Sequence, residues 1–301
     1  MTEMITTHDL TKSYGGHPVV EGVNLSVPQG SVYGLLGPNG SGKSTTMKMV
    51  LALVRPTSGS ITIADRPMLR STRRELLADI GSLIESPPAY PHLTGAENMR
   101  LIARLLDLDD AQIDRAVDTV RLREHLDKRV RDYSLGMKQR LGIALALARE
   151  PRLLILDEPT NGLDPAGIEE IRELLRRLSD RGVTVLVSSH LLDEVERTAT
   201  VLGILDRGRL VFQGTPADLV NRSSPDVLVD TSEPARAAAV TARRHRAQVD
   251  GHTVRISGLD RAATAEVVSR LVGDGIDVYG VRRDTMSLQD VFMNLTAGQS
   301  L

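Results

Sequence analysis

A chain of 301 residues, 41% hydrophobic and 25% charged, has room for one large domain and a small one and reads as an ordinary globular protein. No apolar run nears the roughly 18 residues a bilayer span needs, and the start Met1–Asp9 lacks a basic segment followed by an apolar one, so the chain is expected to stay in the cytoplasm. Zero cysteines exclude disulfides and thiolate chemistry, while a formal charge of −2 and 2% aromatic residues argue against a nucleic-acid partner.

In chain order, Val23–Val27 alternates apolar and polar residues before Pro28-Gln29-Gly30 and predicts a strand entering a turn. Ser31–Leu36 is a short apolar run that ends in a glycine-rich loop, after which Met47, Met49, Val50, Leu51 and Leu53 fall at helical spacing. Glu97–Leu106 and Ala111–Leu126 carry helical periodicity and predict a helical insertion. Buried strands are then expected at Leu153–Leu156 and Val183–Val187, separated by a charged helix from about Ile168 to Leu178. Buried strands alternating with helices predict a parallel α/β sheet. After Gly214-Thr215-Pro216 the composition shifts, with an Ala- and Arg-rich segment at Ala235–Arg246 and short strands at Thr253–Ile256 and Asp277–Tyr279. The expected domains are 1–221, with a helical subdomain at about 86–150, and a small α+β domain at 222–301.

The chemistry begins with Gly37-Pro38-Asn39-Gly40-Ser41-Gly42-Lys43-Ser44-Thr45, the phosphate-binding-loop pattern between a strand and a helix. Glycines let backbone N–H groups curl around phosphate oxygens, and the helix presents its positive dipole end to the same anion. Lys43 is expected to reach the β and γ phosphates and Ser44 to give a hydroxyl to Mg²⁺. Asp157 and Glu158 end a buried strand, the place where ligands gather in such sheets; Asp157 is expected to hold the metal and Glu158 to accept a proton from the attacking water. His190 follows the next strand, where an imidazole can hydrogen-bond the γ-phosphate. Glu158, His190 and Lys43 are thus the expected catalytic residues. His245 and His252 have no partner at metal-ligand spacing, and Arg243–Arg246 reads as a solvated helix face.

The order of these motifs resembles the nucleotide-binding subunit of an ATP-binding-cassette (ABC) transporter, over residues from about 4 to 220. The resemblance implies a P-loop NTPase domain of the ABC ATPase type with a helical subdomain, and ATP and Mg²⁺ as cofactors. It implies that Tyr14 stacks on adenine, and it identifies Tyr133–Arg140 as the family signature, with Ser134 and Gly136 contacting the ATP held by a second copy and Asp164 crossing near the axis of a head-to-tail dimer. Leu135 and Met137 depart from the commonest residues of that signature. Glu85 stands where most of the family has glutamine, in a loop that touches Mg²⁺ and the membrane partner; the resemblance implies that it joins Ser44 and Asp157 at the metal, and its negative charge near Asp157 and Glu158 is expected to strengthen metal binding. With the closing Ser287–Phe292 it is similar to the bacitracin-resistance and lantibiotic-immunity branch of exporters. That implies a separate membrane permease, docking beside Leu83, Ile84, Pro87, Pro88 and Tyr90, and a place on the inner face of the membrane. The alternative is an ATPase of the same fold acting on ribosomes or DNA, but neither a second cassette nor a long coiled-coil insertion is present in this sequence.

Overall fold

Apolar runs at residues 32–36 and 153–156, with Val185–Val187 between the polar ends of 184–189, leave no face for water, and these segments form the middle of one parallel sheet with every residue buried. The structure is a computed structural model and describes residues 2–85, 87–222, 226–242, 244–284 and 288–296. Met1, Ser86 at the expected start of the helical insertion, residues 223–225 at the expected domain boundary, Arg243 and Ser287 lie outside the described residues. Two units form, Met1–Pro216 and Ala217–Leu301.

The first unit opens with β1 (Glu3–Tyr14), β2 (His17–Val23), β3 (Ser26–Pro28), β4 (Val32–Leu36), α1 (Lys43–Val50), β5 (Ser58–Ile63), β6 (Arg66–Pro67), α2 (Arg73–Ala78) and β7 (Ile80–Leu83). Helices α3 (Gly95–Leu106), α4 (Asp110–Thr119) and α5 (Leu135–Leu147) follow, then β8 (Leu153–Leu156), α6 (Pro165–Asp180), β9 (Thr184–Ser189), α7 (Leu192–Glu196), β10 (Val201–Asp206) and β11 (Arg209–Gly214). The main sheet has the order β11-β10-β4-β9-β8-β7, parallel except for β11, and a smaller antiparallel sheet has the order β2-β1-β5-β6 with β3 on β1. One core joins the two sheets: Ile5, Leu10, Val27 and Ile63 from the antiparallel sheet cluster with Leu35, Leu153, Ile155 and Leu186 from the parallel one and with Met47 and Val50 from α1. The helix starts are chemically marked. Thr94 with Glu97 and Asp109 with Gln112 form reciprocal capping boxes on α3 and α4, and Asp164 caps α6 ahead of Pro165.

After α8 (Pro216–Arg222), the second unit contains β12 (Asp226–Thr231), α9 (Pro234–Thr241), β13 (Ala247–Asp250), β14 (Thr253–Ile256), α10 (Arg261–Gly273), β15 (Val278–Asp284) and α11 (Leu288–Thr296). Its sheet runs β13-β14-β12-β15, all antiparallel, and Val227, Val229, Val254 and Ile256 form its own core with Ala237 of α9 and Val267 and Leu271 of α10.

Several expected elements differ from what forms: the helix expected to reach Leu53 stops at Val50, and residues 244–246, expected on a helix face, lie beyond the end of α9 at Thr241. Val23–Val27 is the junction between β2 and β3, not one strand, because the Asn24 side chain accepts from the Asp9 N–H and donates to the Gly22 carbonyl, and the Leu25 N–H donates to Thr7 Oγ1. Side chains there take over the bonds a ladder would make. The helix expected to run to Leu126 stops at Thr119. Arg121 turns left-handed at φ 54° and the Leu122 N–H reaches back to the Val117 carbonyl, the C-terminal closure that ends helices, while Leu122 is fully buried.

Candidate nucleotide site

The loop after β4 is built on backbone that side chains would obstruct. Gly42 caps α1 at φ 103°, and a Cβ there would lie 2.8 Å from the Val19 carbonyl oxygen; at Gly37 it would lie 2.2 Å from that of Leu205. The Thr46 N–H takes the Gly42 carbonyl at 2.9 Å, so the N–H groups of Lys43, Ser44 and Thr45 precede the helical ladder and stay available for an anion. Ser41 is buried, and its hydroxyl has no partner among the described residues. Pro38, Asn39 and Gly40 are exposed at the tip, while Ser44 and Thr45 are half-buried. An unpaired buried hydroxyl beside the free N–H groups of Lys43, Ser44 and Thr45 is a donor set suited to a polyphosphate.

Lys43 is 5% exposed, and its ammonium donates to the Gly37 carbonyl at 2.7 Å and the Pro38 carbonyl at 3.3 Å. Burial holds its pKa below the usual lysine value, opposed by the nearby carboxylates of Glu158 and Asp157. Glu158 Oε1 stands 3.6 Å from this ammonium, and Glu158 Oε2 stands 2.6 Å from His190 Nδ1. Glu158 itself is left-handed at φ 48°, so the backbone turns sharply where β8 ends and aims its side chain back toward the loop. Asp157 is buried beside it, its N–H bonded to the Leu83 carbonyl at 2.8 Å. Lys43, Asp157, Glu158 and His190, which the sequence assigns to three separate strand ends, meet in one place.

Two participants escaped the sequence reading. Ser188 of β9 donates to Asp157 Oδ1 at 2.5 Å and accepts from the Glu158 N–H at 2.9 Å. Lys48 of α1 reaches Glu85 Oε1 at 2.5 Å. The signal for Ser188 was a serine pair inside an otherwise apolar strand; that for Lys48 was its place one helical turn after Ser44.

Glu85 does not join Asp157 and Glu158. Among the described residues no three carboxylate or imidazole side chains converge to hold a metal. Glu85 sits at φ 68° on an exposed turn, and the Lys48 ammonium beside it holds its carboxyl below the usual range. The same ammonium feels Asp157, so the charge that Glu85 adds is met by a cation before it reaches the strand ends. Of the other expected metal ligands, Ser44 is half-buried in the first turn of α1 and Asp157 is buried just after β8. Tyr14 is half exposed at the end of β1, with the Lys12 ammonium 4.8 Å from its ring centroid.

A second group lies elsewhere on the unit. Ser134 caps α5, accepting the Met137 N–H at 3.2 Å, and Gly136 and Gly162 face Leu163 and Leu135 across a short gap. Asp164 accepts the Gly167 N–H at 3.0 Å. Among the described residues no hydrogen bond or ion pair joins Ser134, Gly136 or Asp164 to the phosphate loop, Asp157, Glu158 or His190.

Residues 20–161 match the family described as ABC transporter. The chain is 39% identical to the bacitracin transport ATP-binding protein of Enterococcus faecalis, over 99% of this chain and 98% of that one. The chain belongs to the ABC transporter ATP-binding proteins. This ABC subunit is also 45% identical to a lantibiotic transport ATP-binding protein of Streptococcus pyogenes, over 70% of its own length and 90% of the relative's. Among solved structures it resembles an ATP-binding subunit of an ABC transporter, with TM-score 0.65 and 32% identity over 72% of this chain and 92% of that one. A dimeric bacterial ABC transporter cassette aligns at TM-score 0.64 and 26% identity over 70% and 98%. The ABC subunit therefore binds ATP and hydrolyses it to drive transport. Among its described residues no helix is long and apolar enough to cross a membrane.

Proposed function

We propose that this ABC subunit powers the export of an antibiotic, an antimicrobial peptide or another amphipathic compound through a separate membrane permease, on whose inner face it sits. The cargo class follows from the bacitracin and lantibiotic transport relatives. In this reading residues 1–221 are the nucleotide-binding domain, with a helical subdomain at about 86–150, and 222–301 an accessory domain.

The observation that carries the reading is the separation of two anion-ready helix starts, α1 with Lys43 and α5 with Ser134, on one chain. No hydrogen bond or ion pair joins the two among the described residues of one copy. The arrangement is resolved if two copies pair head to tail, so that Ser134, Gly136 and Asp164 of one complete the pocket of its twin.

Within each pocket Tyr14 offers a ring for adenine, and the N–H groups of Lys43, Ser44 and Thr45 with the Lys43 ammonium offset phosphate charge. Ser44 and Asp157 would hold Mg²⁺, which supplies further charge neutralisation when bound. Glu158 accepts the proton of the attacking water. His190, at 2.6 Å from that carboxylate, fixes its orientation and stands ready to steady the terminal phosphoryl oxygens.

The test mixes two tagged copies, one carrying Lys43→Ala and one Ser134→Arg. Neither retains labelled ATP through gel filtration alone; together they form one intact pocket and retain it. If the mixture retains none while the parent does, the paired arrangement is wrong.

A further inference from the structure

We propose that Ser188 is a positioning residue for ATP hydrolysis, its one hydroxyl fixing both the carboxylate of Asp157 and the backbone turn of Glu158. The proposal rests on the roles given above to those two residues and adds what holds them. Ser188 is wholly buried in β9, which lies between β4 and β8, and Leu35 is its register partner on the β4 side.

A serine hydroxyl has one proton and two lone pairs. Here the proton goes to Asp157 Oδ1 at 2.5 Å and a lone pair takes the Glu158 N–H at 2.9 Å, so both capacities are used and the direction of each bond is set by chemistry. Glu158 needs such a hold. At φ 48° it occupies a region unfavourable for a residue with a Cβ, and its own N–H is the atom that Ser188 grips. Held this way, its carboxylate spans Lys43 and His190. His190 lies two residues beyond Ser188, just past the end of β9, so this stretch secures Glu158 twice, once through its backbone and once through its side chain. On the other side, the bond to Ser188 leaves Asp157 with a fixed direction for its remaining lone pairs. A buried hydroxyl is costly unless its hydrogen bonds are made, and here both are.

The test compares Ser188→Ala, which loses both bonds, with Ser188→Thr, which keeps the hydroxyl, in the parent and in Glu158→Gln. Melting of the nucleotide-free protein and binding of a fluorescent ATP analogue in EDTA serve as readouts that need no metal. Ser188→Ala is expected to bind the analogue within about twofold of the parent. Its kcat should fall, and the Mg²⁺ concentration for half-maximal rate should rise, each by about 10- to 100-fold, the usual effect of removing an outer partner of a ligand. The Thr variant should recover most of both. In Glu158→Gln, adding Ser188→Ala should barely lower the residual rate, because the base it aims is gone, yet weaken Mn²⁺ binding to the ATP complex by about tenfold, because Asp157 is still affected.

Parental kcat and Mg²⁺ requirement in Ser188→Ala overturn the proposal, and so do losses matched by equal losses in EDTA binding and melting temperature. If the Thr variant does not fold, the Ala comparison in the two backgrounds decides. Should Glu158→Gln alone turn over at the parental rate, the assignment of the base fails separately, and the Mn²⁺ measurement still decides the Asp157 arm.

Discussion

Replacing Glu158 by glutamine should separate chemistry from folding. The side chain is 21% exposed and has two polar neighbours, His190 Nδ1 at 2.6 Å and the Lys43 ammonium at 3.6 Å. Glutamine keeps the shape and can still bond His190, so the loss is the charge-assisted part of these contacts, about 1 kcal/mol each. A total below about 2 kcal/mol in a domain of this size lowers the melting temperature by no more than about 8 °C. Removing the proton acceptor costs about 10²- to 10⁴-fold in rate, equivalent to about 2.7–5.4 kcal/mol of barrier. Phosphate release in a single turnover should therefore fall by at least two orders of magnitude while ATP remains bound, and gel filtration should show an ATP-dependent shift toward the paired species. Turnover within threefold of the parent, with the protein folded and nucleotide bound, would refute the assignment of Glu158 as base.

Lys43→Met should abolish binding of a fluorescent ATP analogue. Because burial lowers the Lys43 pKa below its unfolded value, the unfolded chain holds that proton more tightly. The contribution of Lys43 to stability therefore rises with pH between its lowered folded pKa and 10.5, and the difference in unfolding free energy between parent and Lys43→Met should move in favour of the parent over that window. Glu85→Gln leaves the Lys48 ammonium facing Asp157 alone and should raise the Mg²⁺ needed for half-maximal turnover severalfold. Lys48→Gln should lower it, and the double variant should return near the parent; three independent shifts would deny the pairing. Gly81→Ala would place a methyl 2.2 Å from the Ala146 carbonyl oxygen, where α5 crosses β7, and should cost about 1–3 kcal/mol or more, read as a lower melting temperature.

Much of the parallel sheet was legible because its strands are apolar without alternation. Leu153–Leu156 stands as expected, and the strand ahead of His190 starts one residue later than its apolar run and extends through Ser189. The phosphate loop was legible because its chemistry is local: glycines, lysine and serine within nine positions of sequence. The edges were harder. Nothing in the period of residues 23–27 reveals that Asn24 will spend its amide on Asp9 and Gly22, and the C-terminal turn of α4 depends on Leu122 finding a buried seat. The serine pair marked Ser188 as unusual, but its role was not legible because its partners lie at the end of a neighbouring strand. A serine in sequence has no direction, and only strand order makes it face Asp157. Glu85 was read by its charge alone, whereas its outcome depends on Lys48, a residue whose helical position was known but whose reach was not.

The place of β9 between β4 and β8 has a consequence for biosynthesis. As the chain leaves the ribosome, the strand bearing the phosphate loop appears early and that bearing Asp157 much later, yet the two cannot close on each other without burying a gap. The intervening strand is made last of the three, so an N-terminal fragment ending before residue 184 can hold the loop sequence but not the assembled pocket. Premature pairing of the two outer strands would be a trap to be undone, and this cassette should acquire nucleotide affinity late and abruptly during synthesis, as expected where the decisive contacts are distant in sequence.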